Sequence, residues 1–223
     1  MSFVDSLEAA RAYDRWFDHG WGKYAFAVES AALLRSAGPM RARRVIDVGC
    51  GTGRLTKVLA DEGARPTGID PDLSMLAVAN ERGVGNLICC DARRLPFSDA
   101  SYDVAFAVTV CEFVEDVAQV FAELARVTVP HGLFVVGSLS PRSPWGLFER
   151  ERFRSPPWTS ARFLDRRELI RLGSRHGAVS LSSALYAWEV SPLYVLTGPA
   201  LELLRHVIPA SGAFQVLRVV KGA

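Results

Sequence analysis

A glycine-rich turn follows a short apolar segment early in the chain, and such a turn can bind a ligand through its backbone. Residues 45–53 read Val-Ile-Asp-Val-Gly-Cys-Gly-Thr-Gly, and a helical pattern begins at Arg54. Closely spaced glycines let the backbone approach a ligand, and the following helix offers unpaired N–H groups to an anion. A strand, a glycine turn and a helix in this order are typical of nucleotide-type sites in open α/β sheets.

The spacing of the glycines separates this turn from the dinucleotide-binding fingerprint. Gly49, Gly51 and Gly53 follow G-x-G-x-G, whereas the fingerprint is G-x-G-x-x-G. Arg54 stands where the fingerprint has its last glycine, and a large side chain there opposes close packing of helix on strand. The turn therefore favours a carboxylate or a bare backbone approach over a diphosphate. A glycine turn that binds nothing is the alternative.

Acidic residues end or follow the next two predicted strands. Asp70 ends the strand 65–70, about twenty residues after the turn, where dinucleotide-binding proteins place the carboxylate that binds ribose. Asp91 follows the strand 86–90, where it could accept a hydrogen bond from an adenine amino group. Either acid alone could form a turn or a helix cap, and Asp70 is followed by Pro71, which suits a helix start. Three such features on three successive strands favour a nucleotide-type site.

Four stretches of the sequence resemble, in order and spacing, the successive motifs of class I S-adenosylmethionine (SAM)-dependent methyltransferases. They are VIDVGCGTG, GIDPDLSML, CCDARRLPFSDASYDVAFAVTVCEFVED and ELARVTVPHGLFVVGSLS. The resemblance is close over residues 40–140 and nearest to the small-molecule branch that includes quinone-biosynthesis-type enzymes. One departure is the turn at Pro130-His131-Gly132, where lysine-proline-glycine is common in this branch. That departure affects turn chemistry and no ligand contact.

The resemblance implies a set of cofactor-binding residues. Gly49, Gly51 and the nearby backbone would hold the methionine part of SAM, and Asp47 would orient the turn or the ammonium group of the ligand. Asp70 would bind the ribose diol. The whole predicted set is Tyr13, Asp47, Gly49, Cys50, Gly51, Gly53, Asp70, Pro71, Met75, Asp91, Ala92, Val110 and Cys111.

The resemblance also implies contacts for the adenine and sulfonium parts of SAM. Asp91 and the backbone of Ala92 would bind adenine, while Val110 and Cys111 would flank the methionyl part and the sulfonium. Met75 could pack on the adenosine, although ordinary core packing explains a methionine there as well.

Residues that could bind the methyl acceptor lie outside the predicted sheet. The aromatic-rich N-terminal segment could cover the cofactor, as the matching segment often does in this branch, or pack as an amphipathic helix on the sheet; its members are Tyr13, Trp16, Phe17, His19, Trp21 and Tyr24. His19 and Tyr24 are weak catalytic candidates. A histidine titrates near neutrality and can act as a general base, but the sequence favours His19 as a solvent-exposed loop residue. Glu112 could face the acceptor or simply start a helix.

Two later stretches, 145–163 and 188–209, are expected to form an apolar lid over an acceptor pocket. The aromatic residues of the first are Trp145, Phe148, Phe153, Trp158 and Phe163. Arginines between Arg150 and Arg175 could bind an anionic acceptor or RNA, but the interleaved acids favour a solvated, self-paired face. These acids are Glu149, Glu151, Asp165 and Glu168. The acceptor is expected to be a small, lipophilic or acidic molecule.

Composition narrows the class of protein and of partner. With 223 residues and a net charge of +2, the chain fits one domain and has no general attraction to nucleic acid or acidic lipid. DNA is not expected as a partner, RNA is disfavoured, and the oligomeric state is not predicted.

The cysteines and the apolar stretches are used to predict the cellular location of the protein and whether it binds a metal. The four cysteines lack metal-ligand spacing, so reduced thiols in a cytoplasmic protein are expected and no metal is predicted. No signal peptide is recognised, and charges and prolines interrupt the apolar stretch 185–209, which falls short of the ~20 apolar residues of a membrane span.

Strands alternate with helices, which predicts an α/β fold with a parallel sheet. The expected helices are 5–17, 22–37, 53–62, 72–82, 115–127 and 165–176, and the expected strands are 44–49, 65–70, 86–90, 102–109, 132–139, 178–188 and 213–220. By resemblance, the last two strands complete a three-layer, doubly wound, seven-stranded Rossmann-like sheet whose final strand is antiparallel. The chain is expected to be a single methyltransferase domain with an N-terminal helical cap (1–40), a SAM-binding core (41–140), and an acceptor-side lid with C-terminal strands (141–223).

The sequence thus predicts an enzyme that moves a methyl group from SAM to a small acceptor by in-line displacement. Because positioning alone can lower such a barrier by roughly 7–11 kcal/mol, no catalytic base is required and none is assigned. The alternatives are a SAM-binding regulatory or scaffold protein without turnover, and a nicotinamide- or flavin-dependent Rossmann oxidoreductase. The turn spacing and Asp91 disfavour the oxidoreductase.

Overall fold

The computed structural model describes residues 3–140, 143, 158–186, 194–208 and 211–222. The strands in these ranges are β1 (Arg44–Val48), β2 (Arg65–Asp70), β3 (Asn86–Cys89), β4 (Tyr102–Val108), β5 (Thr128–Leu139), β6 (Gly177–Ala184) and β7 (Phe214–Lys221). The helices are α1 (Phe3–Trp16), α2 (Gly20–Ala37), α3 (Arg54–Asp61), α4 (Leu73–Glu81), α5 (Val117–Val127), α6 (Arg166–Gly173) and α7 (Tyr194–Leu201). Short 3₁₀ helices cover Cys111–Phe113, Trp158–Ser160 and Glu202–His206.

The strands form one seven-stranded sheet in the order β3-β2-β1-β4-β5-β7-β6. Strands β1 to β5 pair in parallel, and β7 pairs antiparallel with both β5 and β6. The predicted fold class, including the antiparallel last strand, is confirmed. The strand order reverses between β1 and β4, and ligands of open α/β sheets bind at the carboxyl ends of the strands beside such a reversal.

Alternate residues of the central strands fill two separate cores, one on each face of the sheet. On β4, Ala105 and Ala107 belong to the core that α5 and α6 cover, while Val104 and Phe106 belong to the core that α2 and α3 cover. Because both faces are covered, the strands read as continuous apolar runs, as the sequence predicts. This three-layer packing fixes the strand ends that carry the site.

Side chains and glycines mark the ends of the helices. Asp72 accepts a hydrogen bond from Ser74 N at 2.7 Å at the start of α4, and Asp116 and Asp165 cap α5 and α6 in the same way. Gly38 ends α2 with φ of +75°, a left-handed conformation that glycine adopts at little cost.

The model departs from the predicted element bounds at several places. Strand β5 begins at Thr128 instead of 132, because α5 runs directly into it and Tyr102 pairs with Thr128 before a register shift. Strand β6 ends at Ala184, short of the predicted 188. The predicted lid stretch 188–209 contains α7 and a 3₁₀ helix in its described part. Trp145, Phe148 and Phe153 lie outside the described residues.

The described helices were also compared with the requirements of a bilayer. None of them, within the ranges given above, combines the length and the apolar character that crossing a membrane requires.

Candidate functional site

A cleft of about 490 Å³ lies at the carboxyl ends of β1 to β4. Its walls come from the turn after β1, the ends of β2 and β3, and the segment after β4. The lining residues are Gly49, Ile69, Asp70, Pro71, Cys90, Asp91, Ala92, Arg93, Thr109, Val110, Phe113, Val114 and Glu115. The volume falls within the range of about 300–1,000 Å³ that is usual for ligand pockets.

Each glycine of the turn Gly49–Gly53 has a positive φ, but the three have different surroundings. A Cβ at Gly49 would meet Val110 Cγ2 at 2.2 Å, and one at Gly53 would meet Ala79 Cβ at 2.9 Å. These two glycines therefore allow close packing of the turn against its neighbours. A Cβ at Gly51 would meet nothing within 4 Å, so the middle of the turn borders open space that a ligand can fill.

Asp70 holds the glycine turn and the start of α4 together. Gly51 N donates to Asp70 Oδ2 at 2.9 Å, and Asp72 N donates to Oδ1 at 2.9 Å. Asp70 is 9% exposed, and burial raises the pKa of its carboxyl. Asp72, not Asp70, caps α4. The helix-cap alternative for Asp70 is therefore wrong, and its carboxylate faces the cleft from between two backbone donors.

Asp47 lies beneath the turn and does not line the cleft. Its carboxylate accepts a hydrogen bond from Thr56 Oγ1 at 2.6 Å. Burial, together with the charge of Asp70, raises the pKa of Asp47 to about 7. Of the two predicted roles for Asp47, the geometry favours orienting the turn, because Thr56 belongs to the first turn of α3.

Asp91 lines the cleft near solvent, where Arg93 competes for its oxygens. Arg93 Nη2 donates to Asp91 Oδ2 at 2.6 Å and Nε donates to Oδ1 at 3.0 Å. These hydrogen bonds lower the pKa of Asp91. An adenine amino group would therefore share this carboxylate with Arg93.

Several predicted cofactor residues lie outside the cleft lining. Cys50 is buried with its Sγ close to Gly68 of β2, and Cys111 is buried in the core beside α5. Met75 is half-buried on α4. The predicted residues absent from the lining are Tyr13, Asp47, Cys50, Gly51, Gly53, Met75 and Cys111.

The lining also contains residues that sequence reasoning missed. Thr109 has a φ of +50°, an uncommon conformation for a non-glycine residue that is often found at functional sites. Phe113 is a large apolar residue that remains exposed beside the cleft. Thr109 ends the predicted strand 102–109 and Phe113 follows it closely, and this position is the only signal that could have found them.

An ionic cluster joins the N-terminal helix α1 to the glycine turn. Asp14 accepts hydrogen bonds from Thr52 Oγ1 and Arg54 Nε, each at 2.7 Å, and pairs with the Arg82 guanidinium. Arg54 Nη2 also donates to Asp18 at 2.7 Å, and Arg82 Nε donates to the carbonyl of Thr52 at 2.8 Å. We call Asp14, Thr52, Arg54 and Arg82 the Asp14 cluster. It gives Arg54, the departure from the dinucleotide fingerprint, a structural role.

The hydroxyl of Tyr13 lies within electrostatic reach of two acids. Tyr13 keeps 40% of its surface exposed, yet burial of the hydroxyl, followed by the charges of Glu29 and Asp70, raises its pKa to about 12. The charges of Asp70 on β2 and of Glu29 on α2 therefore both act on this hydroxyl.

The two weak catalytic candidates lie in different surroundings. His19 is exposed at the N-cap of α2 and does not line the cleft. Tyr24 is half-buried, and its hydroxyl packs so closely on Gly198 of α7 that a Cβ there would lie 2.2 Å away. Burial and the charge of Glu202 raise the pKa of Tyr24 to about 12. Neither residue is placed as a base beside the cleft.

Glu112, for which helix-start solvation was the alternative, is buried in the structure. Its Oε1 accepts hydrogen bonds from Ser138 Oγ and Leu139 N, both at 2.9 Å. Burial raises the pKa of Glu112. Burial and the charge of Glu112 in turn raise the pKa of Glu29 to about 8. The two acids are therefore electrostatically coupled.

The described part of the arginine-rich stretch is at least partly self-paired. Arg162 Nη2 lies 2.5 Å from Glu168 Oε1, and Arg171 lies 3.9 Å from the same oxygen. This matches the solvated, self-paired face that the sequence favours.

The proteins that this chain is similar to include methyltransferases, in agreement with the sequence motifs. The family model described as "Methyltransferase domain" matches residues 46–136. A malonyl-[acyl-carrier protein] O-methyltransferase of Pseudescherichia vulneris is 26% identical over 210 residues, which cover 93% of this chain and 80% of that protein. An uncharacterised protein of Mycobacterium tuberculosis is 35% identical over 168 residues, or 73% of this chain. The chain spans only 56% of that relative's length.

Solved structures share the fold. A Thermotoga maritima SAM-dependent methyltransferase, described as a possible histamine N-methyltransferase, has a TM-score of 0.76 and 22% identity, covering 99% of this chain and 100% of its own. The Haemonchus contortus phosphoethanolamine N-methyltransferase 2, solved with SAM, has a TM-score of 0.69 and 18% identity, covering 100% of this chain and 60% of its own. At these identities, the likeness concerns the fold.

Proposed function

We propose that the chain, whose residues 46–136 match the methyltransferase domain family, is a class I SAM-dependent methyltransferase that transfers a methyl group from SAM to a small, lipophilic molecule. The observation that carries the proposal is the cleft where the glycine turn, Asp70 and Asp91 meet. The nicotinamide-dependent alternative lacks such support, because Arg54 stands in place of the fingerprint's last glycine and binds Asp14 instead.

The residues present fit SAM as the cofactor. The open space at Gly51 leaves room for a ligand against the backbone. Asp70 presents two carboxylate oxygens, each with one backbone donor and a remaining lone pair for a ribose hydroxyl. We therefore assign the cofactor to Gly49, Gly51, Asp70, Pro71, Asp91, Ala92 and Val110, and add Thr109 and Phe113 from the cleft lining.

The chemistry asks little of the protein beyond positioning. SAM supplies an electrophilic methyl group on a sulfonium whose thioether is a good leaving group. The chain's own residues bind and orient the reactants and exclude water, which can lower a barrier by roughly 7–11 kcal/mol. Tyr13 and Tyr24, with pKa values raised to about 12, stay protonated at neutral pH. They can orient a reactant as hydrogen-bond donors, but they do not act as bases.

The preference for a lipophilic over an acidic acceptor follows from the charges. The arginines that suggested an anionic acceptor include Arg162 and Arg171, which pair with Glu168. The acids Glu112, which is buried, and Glu29, which lies within electrostatic reach of it, offer no positive charge to an anionic acceptor. The relatives' names include O- and N-methyltransferases, so they do not select the receiving atom. A cytoplasmic location is also part of the proposal, and the free thiols of the four cysteines support it.

The test combines calorimetry with a transfer assay. We expect SAM and its demethylated product to bind and NAD not to bind, and we expect methyl-labelled SAM to label a small molecule in a protein-free cell extract. SAM binding without any labelled product would favour the regulatory or scaffold alternative. NAD binding in place of SAM would favour the oxidoreductase.

A further inference from the structure

Two buried oxygens at the carboxyl edge of the sheet have no hydrogen-bond partner among the described residues. They are Glu112 Oε2 and Gln215 Oε1, and their residues are 1% and 5% exposed. A buried acceptor without a donor costs about 1–3 kcal/mol, and more when it is charged. Such atoms in a native fold call for an explanation, of which a bound ligand is one.

The strand pairing brings the two side chains to one place. Ser138 on β5 pairs with Gln215 on β7, and the Ser138 hydroxyl donates to Glu112 Oε1 at 2.9 Å. Leu139 N donates to the same oxygen at 2.9 Å. Because both hydrogen bonds go to Oε1, the orientation of the carboxylate is fixed. Oε2 remains available to another donor. Phe113, the next residue along the chain, lines the cleft.

The groups around this carboxylate are acidic, and no basic side chain is recorded beside it in the described ranges. Glu29 on α2 is coupled to Glu112, and burial with that charge raises the pKa of Glu29 to about 8. No lysine or arginine of the described ranges figures among the groups that shift the pKa of either acid. Arg162 contacts Glu112 through its backbone N–H, 2.8 Å from the Glu112 carbonyl oxygen, while its guanidinium pairs with Glu168. An anionic group would therefore find no cationic partner here among the described residues.

We propose that Glu112 and Gln215 form the subsite that recognises the methyl acceptor, and that this acceptor carries an amino group. An amine or ammonium offers several N–H donors, and donors are what the two unpartnered acceptor oxygens lack. A carboxylate offers no donor and adds negative charge beside Glu112. The inference rests on the proposed function, because an acceptor subsite requires that a methyl group is transferred.

A purely structural role for Glu112 makes a different prediction. Anchoring the end of β5 needs only Oε1, which a glutamine also provides. Glu112→Gln keeps that oxygen for Ser138 and Leu139 and replaces Oε2 with an NH₂ donor, so it removes the acceptor and the charge while retaining the anchor. Gln215→Met removes the second oxygen at similar volume. Glu62→Gln, at an exposed acid after α3, is the matched control.

The experiment gives each full-length protein methyl-labelled SAM and a protein-free cell extract, and separates the labelled products on cation- and anion-exchange resins at neutral pH. We expect the wild-type product on the cation exchanger. In Glu112→Gln we expect about thirty-fold less product, with the dissociation constant for SAM within about threefold of wild type. We expect a smaller loss in Gln215→Met and no loss in Glu62→Gln.

The outcomes separate this inference from the proposed function. A labelled product on the anion exchanger, or undiminished transfer by Glu112→Gln, overturns the amine subsite while the methyltransferase assignment stands. The absence of any labelled product from a wild-type protein that binds SAM contradicts the proposed function itself, and the subsite falls with it.

Discussion

The two ends of the site differ in how far the protein itself satisfies its buried acids. At the glycine turn, Asp70 accepts hydrogen bonds on both oxygens and Asp47 is bonded to Thr56. At the other end, Glu112 keeps one buried oxygen without a partner among the described residues, and Glu29 is coupled to it. The turn is thus preorganised by contacts of the fold alone. At the acceptor end a buried acceptor oxygen has no donor from the described residues, and a bound ligand would have to provide that donor.

The largest effect is expected at the turn. Asp70→Ala removes a carboxylate that joins Gly51 to Asp72, and it leaves two backbone N–H groups without their acceptor. We expect SAM affinity to fall by on the order of 100-fold, or about 3 kcal/mol, because both the ribose contact and the shape of the turn are lost. Titration calorimetry with SAM measures this.

Asp72→Ala is the control for that variant, since it removes the neighbouring acid that caps α4. It should lower the free energy of unfolding by about 1 kcal/mol and leave SAM affinity nearly unchanged. Equal SAM affinity in Asp70→Ala and wild type would refute the ribose assignment and with it the contrast between the two ends.

The difference between the two ends also marks what sequence could predict. The glycine turn and Asp70 are set by local order, a strand followed by glycines and a second strand ending in an acid, so their positions beside the cleft could be predicted. The surroundings of Glu112 depend on Ser138 and on β7, which the sheet brings together from distant parts of the chain. No local pattern distinguishes a buried acid at position 112 from one that starts a helix.

Arg54 is a second residue whose sequence position could be interpreted but whose partner could not be predicted. The sequence places an arginine where the dinucleotide fingerprint has its last glycine, which argues against a diphosphate. Its partner Asp14 becomes visible only when α1 packs beside the turn, because the two residues belong to separate elements. The fold class could be predicted from strand alternation and the resemblance, whereas the ionic cluster and the acceptor end require the tertiary arrangement.

The next largest effect is expected at the Asp14 cluster, which fastens α1 over the turn. Asp14→Ala leaves the partly buried guanidinium groups of Arg54 and Arg82 without their shared carboxylate. We expect the free energy of unfolding to fall by about 2 kcal/mol and α1 to exchange its amide hydrogens faster. Hydrogen exchange and urea unfolding measure the two effects.

A second ion pair between α1 and α4 supplies the comparison. Arg11 and Glu81 lie 2.7 Å apart but are both about half exposed, and such pairs contribute about 0–1 kcal/mol. Arg11→Ala should therefore change little. If Arg11→Ala lowered the free energy of unfolding as much as Asp14→Ala, burial of the Asp14 cluster would not explain how α1 is held in place.

An effect of the opposite sign, a gain in stability, is expected at the acceptor end. The pKa of Glu29 is raised from 4.5 to about 8, so the folded protein binds more protons than the unfolded chain between these values, and stability falls as pH rises through that window. Glu29→Gln cannot ionise. We expect it to be more stable than wild type at pH 9 and to show a flatter decline from pH 5 to pH 9.

Urea unfolding at several pH values without ligand tests this, with the exposed Glu62→Gln as control. If Glu29→Gln and wild type lost stability in parallel as pH rises, Glu29 would not be an acid held in an unfavourable environment. The acceptor end would then resemble the turn, where contacts of the fold already satisfy the acids.

The smallest effect is expected at the rim of the cleft, where Asp91 meets Arg93. The two side chains are each 46% exposed, and exposed ion pairs contribute about 0–1 kcal/mol, so Arg93→Ala should leave the fold intact and free Asp91 to accept from adenine. We expect SAM affinity to stay within about threefold of wild type or to rise slightly, whereas Asp91→Ala should lower it by about tenfold. Calorimetry on the two variants decides between them. A tenfold loss of SAM affinity in Arg93→Ala would instead mean that the Arg93 guanidinium, and not the Asp91 carboxylate, binds the adenine. The adenine would then be held by an exposed arginine side chain.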